Sequence, residues 1–170
     1  MNYHNIKDVD LLNGVGLRTV LFVSGCSHNC PKCHNPQTHD PNSGIEFDDE
    51  SINEIIRDLD HDYIDGLTLS GGDPLFKSNR SQILEIIKRV RDKFGDSKTI
   101  WMYTGYTYEY LTSLNDELVN SILKGLDILV DGPFILSLKD DKMHYRGSSN
   151  QRLIDVKSSL TSGNIILADY

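Results

Sequence analysis

Short apolar runs and helical repeats alternate along the central part of the chain. The apolar runs rich in β-branched residues, which predict strands, lie at 18–24, 66–70, 99–103 and 126–130. Between them, apolar residues recur every third or fourth position, which predicts helices over about 47–60, 81–94 and 108–123. This βαβαβαβ order indicates the α/β class, with a mostly parallel sheet covered by helices.

The predicted helices begin and end at residues that are typical of caps. Asp48 or Asp49 is suited to cap the first helix, and Gly95 is suited to end the second. The part of the chain after Pro133 has a weaker pattern. Residues 138–152 are polar and predict a loop, and residues 158–170 fit either an edge strand at 164–167 or a tail.

Four loops leave the carboxyl ends of the predicted strands. They are the loop with the cysteines, Gly71–Pro74, Thr104–Gly105 and Asp131–Gly132. Right-handed crossovers bring the carboxyl ends of parallel strands to one edge of the sheet, where ligands bind. We therefore expect the four loops to converge on one site.

Length and charge narrow the possible functions. The 170 residues suit a single domain over 1–170, with a core at about 14–133 and a loop-rich C-terminal segment at 134–170. No apolar run could span a bilayer and the N-terminus does not resemble a signal peptide, so we expect a cytoplasmic protein with no membrane partner. The net charge of −8, with dispersed lysines and arginines, disfavours direct binding of nucleic acid.

All three cysteines of the chain, Cys26, Cys30 and Cys33, stand in one C-x3-C-x2-C motif. An odd number of cysteines in a chain of cytosolic character fits metal or redox chemistry better than disulfides. Three thiolates on a short loop can hold one [4Fe-4S] cluster and leave one iron open to a small ligand, whereas an electron carrier ordinarily has a fourth cysteine.

Two other interpretations of the motif are open. A structural zinc site could be completed by His28, His34 or His39, although zinc ligands more often come as two separated pairs. Three unconnected buried thiols would have no reason to share one short loop. The cluster is the interpretation we favour.

Motifs along most of the chain resemble the radical S-adenosylmethionine superfamily and, within it, the family of activating proteins of anaerobic ribonucleoside-triphosphate reductase. In family order they are Asn13-Gly14 with Gly16 and Arg18, Phe22–Cys26 before the cysteine triad, Leu69–Pro74, Trp101 with Thr104–Tyr106, Val130–Gly132, and Arg146–Gln151. Two positions depart from the family pattern: Lys32 stands where the superfamily often has an aromatic residue, and Val15 where this family commonly has proline.

The resemblance implies an open partial (β/α) barrel of the radical S-adenosylmethionine type. It implies a [4Fe-4S] cluster that cleaves S-adenosylmethionine reductively, so that a 5'-deoxyadenosyl radical forms a glycyl radical on the large subunit of an anaerobic ribonucleotide reductase. An electron donor such as a flavodoxin-like protein would supply the reductant. Alternatives are an activase of the pyruvate formate-lyase type, which His34-Asn35 resembles, a small-molecule radical enzyme, and a zinc-binding interaction module.

The resemblance also assigns site residues. Cys26, Cys30 and Cys33 would be both the metal ligands and the catalytic residues. The turn at Gly71, Gly72 and Asp73 would contact the methionine part of S-adenosylmethionine, although the same residues are common in ordinary turns. Lys32 and His34 flank the last cysteine and are predicted neighbours of the cofactor.

The predicted strand at 99–103 also has an expected packing. Trp101 and Tyr103 alternate with Ile100 and Met102, so one pair should face the core and the other pair a helix layer. We expect all four side chains to serve packing.

Overall fold

The computed structural model describes residues 1 to 170 and contains one open sheet of seven strands. The strands are β1 (Asn2–Asp10), β2 (Arg18–Val23), β3 (Ile45–Glu46), β4 (Gly66–Gly71), β5 (Thr99–Tyr103), β6 (Ile128–Asp131) and β7 (Arg152–Asp155). Five α-helices accompany them: α1 (Asp49–Leu59), α2 (Arg80–Phe94), α3 (Tyr108–Ser113), α4 (Glu117–Gly125) and α5 (Val156–Ser162). Two short 3-10 helices cover Pro36–Thr38 and Leu136–Leu138.

The strand order is β3-β1-β2-β4-β5-β6-β7. The central strands β2, β4, β5 and β6 are parallel and follow one another in chain order, as expected for successive right-handed crossovers. The outer strands β1, β3 and β7 run antiparallel to their neighbours. The sheet does not close, so the predicted α/β fold with an open partial barrel is confirmed.

One face of the sheet carries the main core. Apolar side chains of the strands, such as Leu21, Leu69 and Met102, pack there against buried residues of α1, α2 and α4. The helices α1 and α2 form where predicted because their apolar stripes fit this face. Asp48 caps α1 by accepting a hydrogen bond from the Ser51 amide, and Gly95 ends α2 with φ of 57°.

The opposite face of the sheet carries a small second cluster around Trp101. Tyr145 and Tyr170 pack on the Trp101 ring with centroid distances of 5.5 Å each, and the Arg18 guanidinium lies 5.3 Å from its centroid. The expectation of a helix layer on this face is wrong, because loop residues and the C-terminal residue cover the tryptophan. Tyr103 shares this face but lines the cavities described below.

Arg18 is fully buried and its side chain ties the loop between β1 and β2 to the sheet. Its Nε donates to Thr68 Oγ1 at 2.7 Å, and its terminal nitrogens donate to the carbonyl oxygens of Val15, Leu67 and Thr99. Burial lowers the pKa of this guanidinium to about 10. All of the donors are directed at protein acceptors, so the residue acts as a buried crosslink.

Some elements of the structure differ from the sequence prediction. The single helix expected over 108–123 is broken into α3 and α4, because Asn115 adopts a left-handed φ of 50° and Asp116 starts a new helix as its N-cap. The sheet also includes the antiparallel strands β1 and β7, which the sequence pattern did not predict. Residues 156–162 form α5, and of the two alternatives for the last residues, an edge strand or a tail, the structure has only an isolated bridge between Ile154 and Leu167.

Candidate functional site

The loop that carries the three cysteines leaves the carboxyl end of β2. Backbone bonds close it at its base, where the Gly25 amide donates to the Thr38 carbonyl at 2.7 Å and the Cys26 amide to the His39 carbonyl at 3.1 Å. The Asp73 amide donates to the Gly25 carbonyl at 2.7 Å, which joins this loop to the turn after β4. The loop is therefore held at a fixed position on the edge of the sheet.

Cys26, Cys30 and Cys33 line one cavity of about 210 Å³ at the carboxyl ends of the parallel strands. All four predicted loops contribute to its wall, so their convergence is confirmed. The other lining residues include Gly71 and Gly72 after β4, Thr104 and Gly105 after β5, and Gly132 after β6. Other wall residues, among them Asn13, Asn35, Phe134 and Gln151, were not predicted as site residues.

Asp73 is buried and its carboxylate joins three of these loops. Its two oxygens accept hydrogen bonds from Thr104 Oγ1 at 3.0 Å, and Oδ2 also accepts from the Gly105 amide at 3.0 Å. The Leu75 amide donates to Oδ1, and His28 Nε2 lies 2.8 Å from Oδ2. Every acceptor position of this carboxylate is directed at the protein, so the geometry makes Asp73 a positioning group of the site.

His28 links the cysteine loop to the loop after β5, a role that the sequence did not reveal. Its ring bonds Asp73 and packs edge-on against Tyr106 at a centroid distance of 4.4 Å. Tyr106 in turn lies within hydrogen-bond distance of Ser27, 3.1 Å between the hydroxyl oxygens. No local pattern in the sequence pairs these two residues, which are 45 positions apart.

Gly105 leaves the room that the His28 ring occupies, since a Cβ at position 105 would overlap that ring. We expect the added methyl group of Gly105→Ala to displace the His28 ring from Asp73. The fraction of protein that retains a reconstituted cluster during gel filtration should then fall about tenfold. Gly95→Ala is the control, because nothing lies within 4 Å of its added Cβ and only its left-handed backbone is strained. Equal iron content in the two purified variants would contradict this role for the His28 contact.

Gly71 is the last residue of β4, and Gly72 begins the turn that packs against the cysteine loop. Gly71 has a left-handed φ of 100°, and a Cβ at Gly72 would come within 2.5 Å of the Gly25 carbonyl oxygen. Glycine at position 72 thus allows the turn after β4 to approach the backbone that leads into Cys26. A larger residue there would displace the cysteine loop itself, and a contact of this turn with S-adenosylmethionine stays a prediction.

The remaining predicted site residues lie at different distances from the cavity. His34 is exposed at its rim, with its ring 6.0 Å from that of Phe134. Lys32 is exposed, has a left-handed φ of 54°, and is not part of the cavity wall. Their roles as cofactor neighbours stay predictions, and of the two only His34 lies where the prediction requires.

The donor set fits an iron-sulfur cluster. The three thiols are half-buried, and the Asn35 amide donates to Cys33 Sγ at 3.4 Å, a type of bond that tunes clusters held by thiolates. Burial raises the pKa of the Cys26 thiol, and the charge of Asp73 acts in the same direction.

Comparison with known proteins identifies the class to which this site belongs. The family described as "4Fe-4S single cluster domain" matches residues 12–154, which include the three cysteines and most of the sheet. This match favours the cluster over the zinc site as the interpretation of the motif.

Curated relatives define the family more closely. Proteins named anaerobic ribonucleoside-triphosphate reductase-activating protein from Escherichia coli K12 and Vibrio cholerae are 44% and 42% identical to this chain over 153 residues, 89% of this chain and 96% of each relative. The protein of that name from Enterobacteria phage T4 is 40% identical over 90% of this chain and 93% of its own length. The chain belongs to the family of anaerobic ribonucleoside-triphosphate reductase-activating proteins. None of its helices is long and apolar enough to traverse a membrane.

Proposed function

We propose that this protein activates an anaerobic ribonucleotide reductase in the cytoplasm by generating a glycyl radical on its large subunit. The three cysteines would hold one [4Fe-4S] cluster. The bound cluster would pass one electron to the sulfonium of S-adenosylmethionine, giving methionine and a 5'-deoxyadenosyl radical that takes a hydrogen atom from a glycine of the partner. An electron donor of the flavodoxin type would return the cluster to its reduced state.

One observation carries the proposal. The only three cysteines of the chain line a single cavity at the carboxyl edge of the sheet, and the relatives that share this sequence over most of their length are named as activators of the reductase. Three thiolates leave room for a small molecule on the cluster, which a fourth cysteine would take.

The other residues of the cavity would bind and orient S-adenosylmethionine. The backbone of Gly71 and Gly72 borders the cavity, where it can approach the methionine part closely. The Asp73 carboxylate contacts His28 and accepts a hydrogen bond from the Gly105 amide, so Asp73 would act by positioning these two residues. His34 would lie beside S-adenosylmethionine at the rim of the cavity. Lys32 would reach the cofactor only if the cysteine loop moved on cofactor binding.

The test is to reconstitute the protein with iron and sulfide without oxygen, reduce it, and mix it with S-adenosylmethionine and the anaerobic ribonucleotide reductase of the same organism. We expect a carbon-centred radical on the reductase by electron spin resonance, and about one methionine released for each radical formed. The pyruvate formate-lyase type of partner is the comparison. A radical on that partner alone, or turnover of a small molecule without any radical on a protein, would refute the proposal.

A further inference from the structure

One tyrosine stands in the wall of the cysteine cavity. Of the eight tyrosines of the chain, only Tyr103 lines this cavity. It is the last residue of β5, so its side chain lies at the carboxyl edge of the sheet where the loops meet. It also borders a second cavity of about 550 Å³ that opens beside the first. The phenol therefore lies between the three cysteines and a second space that solvent can enter.

The position of Tyr103 is fixed on both sides. Its backbone pairs with Val130 of β6, and the next amide, that of Thr104, donates to the Val130 carbonyl at 3.0 Å. The Thr104 hydroxyl donates to Asp73, which holds the cysteine loop through its histidine. The Tyr103 ring packs on the small apolar cluster around Trp101. Tyr103 is thus held at a set place relative to the cysteines.

The Tyr103 hydroxyl is free of protein contacts. It forms no hydrogen bond within the chain, whereas the Tyr106 hydroxyl lies 3.1 Å from that of Ser27. The polar side-chain atoms that are enclosed without a partner belong to other residues: His39, Gln82, Arg146 and Asn150. The free Tyr103 hydroxyl therefore faces the open space of the cavities. Burial raises the pKa of Tyr103, although the charge of Arg18 acts in the opposite direction, so the group stays a neutral phenol.

The phenol carries the weakest exchangeable hydrogen in the wall of the cysteine cavity. Amide, alcohol and imidazole groups of the wall have stronger N–H and O–H bonds, and cysteines that hold a cluster have lost their S–H hydrogens. A phenolic O–H bond is also weaker than the C–H bond of a methyl group, so a primary carbon radical takes its hydrogen atom favourably. The transfer creates no charge, and a buried site does not oppose it.

The rest of the wall is vulnerable to such a radical. The cavity lies at the edge of an open sheet, and glycines form much of its lining: Gly71, Gly72, Gly105, Gly132 and Gly147. A radical formed without a bound partner has access to their Cα–H bonds, and loss of one of these hydrogens would damage the backbone of the site. An enzyme excludes such side reactions by enclosing its radical, which an open edge does not do.

We propose that Tyr103 is a hydrogen-atom donor that quenches the 5'-deoxyadenosyl radical when no partner glycine occupies the site. The inference rests on the proposed function. The O–H bond of Tyr103 breaks and a C–H bond forms at the 5' carbon, which gives 5'-deoxyadenosine and a neutral phenoxyl radical on Tyr103. One electron from the low-potential donor that reduces the cluster, and one proton from solvent in the second cavity, then restore the phenol. Each unproductive cleavage would thus consume a second electron and spare the backbone.

The test is to reduce the reconstituted protein with dithionite in heavy water, without thiols or reductase, and to measure deuterium in the 5'-deoxyadenosine formed from S-adenosylmethionine. The Tyr103 hydroxyl exchanges its hydrogen with heavy water, whereas Cα–H bonds do not. We expect most of the wild-type product to carry deuterium. In Tyr103→Phe the deuterated fraction should fall about tenfold, because only a donor held against the radical competes at a high effective concentration. The fraction is counted per product molecule, so it does not depend on the rate of cleavage.

Two other tyrosines serve as matched controls. Tyr63 is 56% exposed and stacks on His61 before β4, at the opposite edge of the sheet. Tyr145 lines the second cavity but not the cysteine cavity. Tyr63→Phe and Tyr145→Phe should both give the deuterated fraction of the wild type. Circular dichroism and iron content establish that each variant folds and keeps its cluster.

A second readout needs no cluster. Alkaline titration of the iron-free protein, followed by ultraviolet absorbance, should show a phenol in the wild type that is absent from Tyr103→Phe and ionises above the usual range of tyrosine, because burial raises its pKa. A phenol that ionises in the usual range would contradict the buried, neutral donor. An equal deuterated fraction in Tyr103→Phe and the wild type would overturn the inference, as would a wild-type product without deuterium. Failure of the wild type to cleave S-adenosylmethionine at all would instead refute the proposed function.

Discussion

Replacing Cys26, Cys30 or Cys33 by alanine, one at a time, is expected to abolish both the reducible cluster and the cleavage of S-adenosylmethionine. Each change removes one of only three thiolates, and no other cysteine exists to replace it. The purified variants should lack the iron, the sulfide and the spin-resonance signal of a reduced four-iron cluster. Methionine release should fall to the level of the protein-free control.

The alanine variants should still fold, because the thiols are only half-buried and belong to a loop outside both apolar clusters. Their apoproteins should unfold within about 4 °C of the wild-type apoprotein by circular dichroism. Gln37→Ala is the control, an exposed change after the cysteines that should leave iron content unaltered. A full complement of iron in any one cysteine variant would be incompatible with the assigned ligands.

Replacing Asp73 by asparagine is expected to give the second-largest effect. The amide has one acceptor oxygen where the carboxylate has two, so some of the donors from His28, Thr104, Gly105 and Leu75 would face an N–H group instead. Loss of charged, buried hydrogen bonds should lower the free energy of unfolding of the apoprotein by about 2 kcal/mol. Loosening of the cysteine loop should weaken retention of the cluster about 10- to 100-fold.

Asp116→Asn is the matched control for that variant. Asp116 also accepts hydrogen bonds from backbone amides and meets an arginine, but it caps α4 away from the cysteines. Because asparagine caps a helix about as well as aspartate, this change should lower stability less than Asp73→Asn does, and it should leave retention of the cluster unchanged. If Asp73→Asn kept its cluster and lost only affinity for S-adenosylmethionine, Asp73 would contact the cofactor directly, as the sequence resemblance predicts.

The sequence was sufficient to predict the parallel centre of the sheet. Buried parallel strands are nearly continuous apolar runs, and β2, β5 and β6 show this most clearly. The antiparallel edges were missed because β1 and β7 have mixed polar patterns that do not differ from those of loops. The break between α3 and α4 was missed because Asn115 and Asp116 interrupt an apolar repeat that continues across them.

Only the parts of the site that contain a recognisable motif were predictable. The cysteine spacing and the glycine turn identified loops of the site, and the predicted topology placed them at one edge of the sheet. The contacts between loops could not be derived in this way. His28 and Asp73 are 45 positions apart, and neither shows in a local pattern that the other is its partner. The same holds for Arg146, whose Nε is buried without a hydrogen-bond partner, a feature that only the three-dimensional structure reveals.

The buried crosslink at Arg18 has a consequence for the thermodynamics of association. It fixes the segment before β2 to strands far along the chain, and the Asn13 carbonyl accepts a further hydrogen bond from Thr68 Oγ1 at 2.8 Å. The segment before β2 is thus ordered by contacts that lie wholly within this chain, so its conformational entropy is lost on folding and not on binding of a ligand. A calorimetric titration with a ligand of the cysteine cavity should then give a heat capacity change with no contribution from ordering of this segment.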